Sequence, residues 1–200
     1  MLRNELQYRL GQAQKEGLYC PEFEHDSCGT GFVANIKGLV SHDLIGQGLT
    51  ILDNLAHRGA TGSESDTGDG AGVLIQIPHK FFQKVSAEEG FALPGPRYYG
   101  VGMLYLPQDK KIRKEFEKII DHIVEQEGQR VLGWRTVPTE AGTLGATARA
   151  AQPVIRQVFI ERSKWIKDRM SFERKLYMIR KKAEKKIRYS GKPGGEEFYV

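Results

Sequence analysis

The chain has 200 residues, of which 40% are hydrophobic and 28% are charged, and its formal net charge is +5. These proportions exclude an intrinsically disordered chain, and two cysteines are too few for a disulfide framework. No run approaches the roughly 18 consecutive apolar residues of a membrane span. The first 20 residues also lack the apolar region of a secretory signal, so we expect a cytoplasmic protein with no membrane partner.

The predicted elements begin with a polar helix over residues 1–19, followed by an acidic connector that Pro21 interrupts. Residues 28–36 are rich in glycine and then apolar, which is typical of a strand whose first residues something must approach closely. Ser41 is the predicted N-cap of the next helix, which should bury one face. That face comprises Leu44, Ile45, Gly48, Leu49, Leu52 and Leu55.

A polar, glycine-rich stretch at 57–72 precedes an apolar strand at 73–77. Further along, the patterns predict a helix at 80–85, strands at 98–106 and 130–137 with a helix at 109–126 between them, a strand at 154–160 and a helix at 171–189. These signals indicate an α/β or α+β domain with a substantial sheet, without fixing the strand order. Residues 196–200 begin another apolar strand at which the chain stops, so we expect a domain that is incomplete at its C-terminus.

The charge is unevenly divided along the chain. Residues 1–107 carry 8 Lys and Arg against 12 Asp and Glu, whereas residues 108–200 carry 22 against 13. The basic excess lies mostly at 164–192, which suggests nucleic-acid binding. A solvated or partner-facing side is nevertheless favoured, because no aromatic residues interleave with the lysines and the helix has an ordinary apolar stripe. The stripe comprises Phe172, Leu176, Ile179, Ala183 and Ile187.

Cys28 is the candidate for covalent chemistry. A cysteine attacks only as a thiolate, and the neighbouring Gly29 and Gly31 would leave space for a substrate carbonyl. No histidine stands at an obvious sequence distance to act as its base, although several could be near in the fold. If the chain is instead cut after Ser27, the new α-amino group beside the thiol supplies the base. The alternative is a small buried hydrophobe. No metal site is predicted, because the spacing of Cys20 and Cys28 fits no common zinc pattern.

Two motifs carry a resemblance to a known family. DSCGTGFVA at 26–34 and HRGATGSESDTGDGAGVLIQIP at 57–78 resemble the start of the class II glutamine amidotransferase domain of glutamate synthase large subunits. Their joint occurrence in this order is specific, and fainter similarity extends to the closing EEFYV. The resemblance implies an α+β fold of the N-terminal nucleophile hydrolase type, a four-layer αββα sandwich that is incomplete here at the C-terminus. It also implies a propeptide at 1–27 and the N-terminal part of the amidotransferase domain at 28–200.

The activity that the resemblance implies is the glutaminase half-reaction. In that reaction the Cys28 thiolate, with its freed amine as general base, attacks the side-chain amide of L-glutamine and releases ammonia through a thioester. Arg58 would lie beside the glutamine pocket, where a guanidinium suits a carboxylate. A site loop packed close to the nucleophile would comprise Gly29, Thr67, Gly68, Asp69 and Gly70. The oxyanion-hole residues would fall beyond Val200, so we expect these 200 residues alone to be inactive.

No cofactor is expected within these residues, whereas the resemblance implies FMN and an iron–sulfur cluster on later domains that pass the ammonia to 2-oxoglutarate. The implied partners are L-glutamine, those later domains, and a small subunit or ferredoxin. One alternative is an amidotransferase-like domain of another synthase, or a stand-alone amidotransferase. The other is a noncatalytic protein that binds RNA or an acidic partner through the basic helix.

Overall fold

The computed structural model describes residues 29–59 and 70–200, together with residues 8, 11, 12, 14–17, 64 and 66–68; of Arg58 only the backbone is described. These residues divide between two compact units. The first takes its residues from 1–62 and 68–73, and the second from 63–67 and 74–200. Within the predicted N-terminal helix, the described residues 8, 11, 12 and 14–16 are helical.

The first unit contains helix α1, Asp43–Asn54, and a short 3-10 helix, Ala56–Arg58. His42 occupies the N-cap position of α1, so the predicted cap at Ser41 was one residue early. The serine hydroxyl still accepts a hydrogen bond from the Asp43 amide at 3.0 Å. Ser41 therefore satisfies one amide of the first turn, as a capping side chain does, although it stands one residue before the N-cap position.

The predicted apolar face of α1 exists, but no side chain on it is fully buried. Leu49 was assigned to this face and is 50% exposed, whereas Ile51 is half-buried and lies on it. The other predicted members are half-buried. They are Leu44, Ile45, Gly48, Leu52 and Leu55.

The two predicted strands at 28–36 and 73–77 are wrong, because the described residues of both segments belong to no strand. Their apolar side chains are exposed, Phe32 to 92% and Leu74 to 101%. A strand forms only when its backbone N–H and C=O groups pair with a neighbouring chain. An apolar pattern indicates only that a segment favours such pairing, and among the described residues no neighbouring strand pairs with these two segments.

The second unit is built around a three-stranded antiparallel sheet. Its strands are β1, Tyr99–Leu106; β2, Arg130–Thr136; and β3, Val154–Glu161, in the order β1-β3-β2. The predicted strands at 98–106, 130–137 and 154–160 agree with them to within one residue at each end. The ladder between β2 and β3 shifts register between Val131 and Gly133. At this irregularity the glycine has no room for a side chain, because a Cβ would overlap the ring of Phe91.

In the described part of the second unit, four helices accompany the sheet. They are α2, His79–Glu88; α3, Lys110–Gln126; α4, Ala146–Ala150; and α5, Arg169–Arg188. The predictions for α2, α3 and α5 are confirmed, although α2 is longer than expected, whereas the five-residue α4 was not predicted. At the start of α3 the Asp109 carboxylate accepts hydrogen bonds from the amides of Lys111 at 2.7 Å and Ile112 at 3.0 Å, which caps the helix.

Side chains alternate between the two faces of the sheet, as the pleat requires. On the central strand, Val158 and Ile160 face a core cluster formed with α3 and α5, while Phe159 faces a second cluster that includes Phe82 of α2. The unit therefore has a helical layer on each face of the sheet. The α+β class is confirmed by this arrangement.

The C-terminal residues close the larger cluster. Phe198 is fully buried, and its ring meets that of Phe116 edge to face with centroids 6.1 Å apart. Tyr199 forms a single antiparallel bridge with Tyr105, whose amide donates to the Tyr199 carbonyl at 3.0 Å. The strand predicted at 196–200 is thus one bridge beside β1.

Candidate functional site

The predicted site residues differ in how far the structure describes them. Cys28 and Asp69 lie outside the described residues, and Arg58 is described by its backbone alone. The remaining residues of the predicted site loop are described, with Thr67 half-buried and the glycines exposed. These glycines are Gly29, Gly68 and Gly70.

The segment after Cys28 packs against the C-terminal half of α1. A Cβ on Gly29 would stand 3.0 Å from Leu55 Cδ2, and one on Gly31 would stand 2.6 Å from Ile51 Cγ2. The distance at Gly31 is too short for a Cβ unless Ile51 shifts, and the one at Gly29 would require Leu55 to move by a few tenths of an ångström, so glycine suits this close approach. The sequence interpretation gave these glycines the role of clearing space for a substrate. The structure adds a packing role against α1, and the clearing of space for a substrate stays a prediction.

The HRGA motif begins in the 3-10 turn that follows α1. His57 Nδ1 lies 3.0 Å from the carbonyl oxygen of Asn54, so its ring is engaged with the preceding helix and serves a structural purpose. Arg58 is the last residue of that turn, three positions beyond Leu55. The residue that follows Cys28 and the backbone of Arg58 therefore lie at the same end of α1.

Thr67, in the second unit, is held by a group of hydrogen bonds that sequence reasoning missed. Its hydroxyl donates to Glu64 Oε2 at 2.7 Å, and the Thr147 hydroxyl donates to Glu64 Oε1 at 2.9 Å. The Thr147 amide also donates to the Glu64 carboxylate, at 3.2 Å to Oε2. We call this group the Glu64 clamp. Its hydrogen bonds, first from Thr67 and then from Thr147, hold the pKa of the Glu64 carboxyl below its ordinary value.

Gly145 makes room for the Glu64 clamp. A Cβ at this position would overlap Thr67 Oγ1 and stand 2.5 Å from Glu64 Oε2. The Gly145 amide also donates to the Asp66 carbonyl at 3.3 Å. Its φ of −61° and ψ of 163° suit any residue, so space rather than backbone conformation demands glycine here. Because the short helix after Gly145 was not predicted, the sequence held no signal of this approach.

The part of the chain that the structure describes contains no group of three His, Cys, Asp or Glu side chains able to hold a metal ion. Iron–sulfur clusters need several cysteine thiolates, and the whole sequence has two cysteines. The cluster that the resemblance implies therefore does not fit these residues. Among the described helices, none is long and apolar enough to cross a membrane.

Carboxylates of the second unit neutralise part of the basic helix α5. The ion pairs are Arg169–Glu173, Lys175–Glu127, Lys182–Glu127, Arg180–Glu184 and Lys181–Glu184. Hydrogen bonds from Lys175 and then Lys182 hold the pKa of Glu127 below its ordinary value. The predicted apolar stripe of α5 faces the core, with Leu176 half-buried and the rest of the stripe buried. Both observations favour a solvated outer face over a nucleic-acid surface.

Comparison with known proteins gives one family and several relatives. The family of class II glutamine amidotransferases matches residues 28–200. The chain is 54% identical to the glutamate synthase (NADPH) large chain of Bacillus subtilis over 84% of its own length and 11% of the relative. It is 39% identical to the ferredoxin-dependent glutamate synthase of Pyropia yezoensis over 90% of the chain and 11% of the relative.

A third relative is the chloroplastic ferredoxin-dependent glutamate synthase 2 of Arabidopsis thaliana, which is 40% identical over 82% of the chain and 10% of the relative. The aligned part of the chain thus spans about a tenth of the length of these curated relatives. All three similarities cover most of the same stretch that the family matches.

Proposed function

Because the chain belongs to the class II glutamine amidotransferase family, we propose that it carries out the glutaminase half-reaction of a glutamate synthase. The observation that carries the proposal is that the family match begins at Cys28, next to a segment that packs on α1 beside the HRGA motif. The relatives named glutamate synthase support the same assignment.

The proposed chemistry uses Cys28 as the N-terminal residue of the mature chain. The free α-amino group takes the thiol proton, and the thiolate attacks the side-chain carbonyl carbon of L-glutamine. The carbon–nitrogen bond then breaks, and the amine returns its proton to the leaving nitrogen, which departs as ammonia. Water attacks the γ-glutamyl thioester and the carbon–sulfur bond breaks, which releases glutamate and restores the thiol of Cys28.

Residues 1–27 are, on this proposal, a propeptide that is removed before catalysis. The start of the family match at residue 28 supports this boundary. Arg58 contributes its guanidinium to a carboxylate of the substrate, for which its planar fork of donors is suited. The predicted site residues Gly29, Thr67, Gly68, Asp69 and Gly70 belong to the glutamine site on the same proposal.

The finer fold is the four-layer αββα sandwich of N-terminal nucleophile hydrolases. The helices α3 and α5 on one face of the β1-β3-β2 sheet are compatible with an outer helical layer of such a sandwich, whereas Phe82 of α2 packs on the opposite face, which a second sheet would have to cover. The exposed apolar segments at 29–36 and 74–77 also support it, because a second sheet would give their backbones ladder partners.

The wider assignments concern the protein beyond these residues. FMN and an iron–sulfur cluster would reside on other domains, which would use the ammonia with 2-oxoglutarate. A small subunit or ferredoxin would supply electrons, and relatives named for NADPH and for ferredoxin support both choices. A cytoplasmic location also stays a proposal, since some relatives are named chloroplastic.

Intact mass spectrometry of the full-length protein tests the function directly. The mature chain should begin at Cys28, and glutamine should yield ammonia together with a transient thioester on that chain. Cys28→Ser is expected to lose glutaminase activity, while Cys20→Ser, which alters only the proposed propeptide, serves as the control. A chain that keeps residues 1–27 and forms no thioester with glutamine would contradict the proposal.

A further inference from the structure

We propose that Glu64 is a positioning residue that fixes Thr67, the first residue of the site loop, for glutamine binding. The inference rests on the proposed function in one respect, because it takes the loop from Thr67 to Gly70 to be part of the glutamine site. The contacts that support it all lie within the second unit.

The need for Glu64 arises at the start of α4. The N-cap of that helix is Gly145, which has no side chain to accept a hydrogen bond from the first turn. The Thr147 amide therefore lacks a local acceptor, and Glu64, 83 residues earlier in the chain, provides one. A carboxylate also suits the positive end of a helix. Glu64 thus performs the capping that the sequence around α4 does not.

The same carboxylate reaches Thr67. Each of its two oxygens accepts from one hydroxyl: Oε1 accepts a hydrogen bond from the Thr147 hydroxyl at 2.9 Å, and Oε2 accepts one from the Thr67 hydroxyl at 2.7 Å. Thr67 is also tied to Glu64 through its backbone, because its amide donates to the Glu64 carbonyl at 3.2 Å. Both the side chain and the main chain of the first loop residue are therefore fixed.

The Glu64 clamp requires a residue without a side chain at position 145. The lack of a side chain on Gly145 lets the Thr67 hydroxyl and the Glu64 carboxylate approach the backbone before α4. The hydrogen bond from the Gly145 amide to the Asp66 carbonyl, at 3.3 Å, runs alongside. Side-chain and backbone contacts thus join Glu64, Asp66 and Thr67 to the start of α4, so an added methyl group at 145 would disturb these contacts together.

The test uses the full-length protein and three variants of the Glu64 clamp. Glu64→Ala removes the acceptor, Gly145→Ala pushes the partners apart, and Glu64→Gln keeps an acceptor oxygen for Thr147. Gly142→Ala is the matched control, since a Cβ there would meet only the flexible side chain of Glu140 in the same loop. The measurements are the KM and kcat for glutamine, the rate of Cys28 alkylation by iodoacetamide, and the melting temperature.

Misplacing a group that positions the substrate by about 1 Å can lower the reaction rate roughly 100-fold, so we expect Glu64→Ala and Gly145→Ala to lower kcat/KM for glutamine by roughly 10- to 100-fold, through a raised KM. Cys28 alkylation should stay at the wild-type rate, because iodoacetamide does not depend on glutamine binding and the glycines after Cys28 pack against α1 and Leu55. Glu64→Gln should recover most of the affinity, and Gly142→Ala should behave as wild type.

Three results would overturn the inference. The first is a KM within twofold of wild type in both disruptive variants, and the second is an alkylation rate that falls by the same factor as the KM rises. The third is a Gly142→Ala control that is as impaired as the two disruptive variants. The first would show that the clamp does not serve glutamine binding, and the second that it serves only general folding. The third would place the effect outside the clamp. A wild-type protein that releases no ammonia from glutamine would contradict the proposed function instead, so the two failures are distinguishable.

Discussion

Replacing Phe198 with alanine tests whether the C-terminal residues are part of the core of the second unit. The side chain is 0% exposed, and it packs against Phe116, which is also 0% exposed. Truncating a buried phenylalanine costs about 3–5 kcal/mol, because the transfer free energy is lost and a cavity remains. The edge-to-face contact of the two rings accounts for about 0.5–1.5 kcal/mol of that loss.

We therefore expect Phe198→Ala to lower the free energy of unfolding of the 200-residue chain by about 4 kcal/mol, a large part of the roughly 5–15 kcal/mol of a typical domain. Urea denaturation followed by tryptophan fluorescence measures this, since Trp134 packs against the same cluster. Phe198→Leu retains most of the apolar volume and should cost less than about 1.5 kcal/mol. The neighbouring Tyr199 is 52% exposed, so Tyr199→Ala should cost about 1 kcal/mol or less. A loss below about 0.5 kcal/mol in Phe198→Ala, equal to that of a surface substitution, would refute the reasoning.

Three further substitutions have expected outcomes. The Asp121 carboxylate accepts a hydrogen bond from Trp134 Nε1 at 2.9 Å, and burial raises the pKa of this carboxyl. Because the ionised aspartate is therefore unfavourable in the folded state, Asp121→Asn should raise the melting temperature at pH 8, and the gain should shrink as the pH falls and the aspartate protonates. Asp109→Ala removes the cap of α3 and should cost about 1 kcal/mol in urea denaturation, whereas an unchanged midpoint would contradict the capping role. Glu127→Gln weakens the pairing with two lysines of α5, and because the folded-state pKa of Glu127 is lowered, wild type should be the more stable at pH 7. This difference should be lost as the pH falls below about 4.3, the ordinary glutamate pKa, and through the lowered folded-state pKa, which melting curves at several pH values measure.

The three strands of the sheet and the helices α2, α3 and α5 were predictable because their patterns are long and their partners lie in the same unit. The helix α3 shows this, with Phe116, Ile120 and Ile123 buried along one side and an aspartate at its start. The strand predictions at 28–36 and 73–77 failed because an apolar run does not indicate whether a partner strand is present to pair with it. Local pattern and tertiary pairing are separate conditions for a strand.

The candidate site divides in the same way. Motif residues such as Cys28 and Arg58 could be proposed from the sequence, since the order and spacing of two motifs identified the family. The Glu64 clamp could not, because its hydrogen bonds to Thr147 span 83 residues and depend on a glycine that leaves space rather than on a recognisable pattern. A polar residue in a glycine-rich loop has many possible partners, and only the fold selects one.

The strand order has a consequence for synthesis on the ribosome. β3 lies between β1 and β2 and is the last of the three strands to be made, so neither outer strand has its ladder partner until it emerges. In the ladder between β1 and β3, Leu106 pairs with Val154 and Tyr99 pairs with Glu161, so each residue of β1 is synthesised well before its partner. At roughly 5–20 residues per second, that delay is roughly 2 to 12 s. The helix α3 is translated in the interval and belongs to the same apolar cluster as β1, so it is the element able to shield that strand from intermolecular pairing while the nascent chain grows.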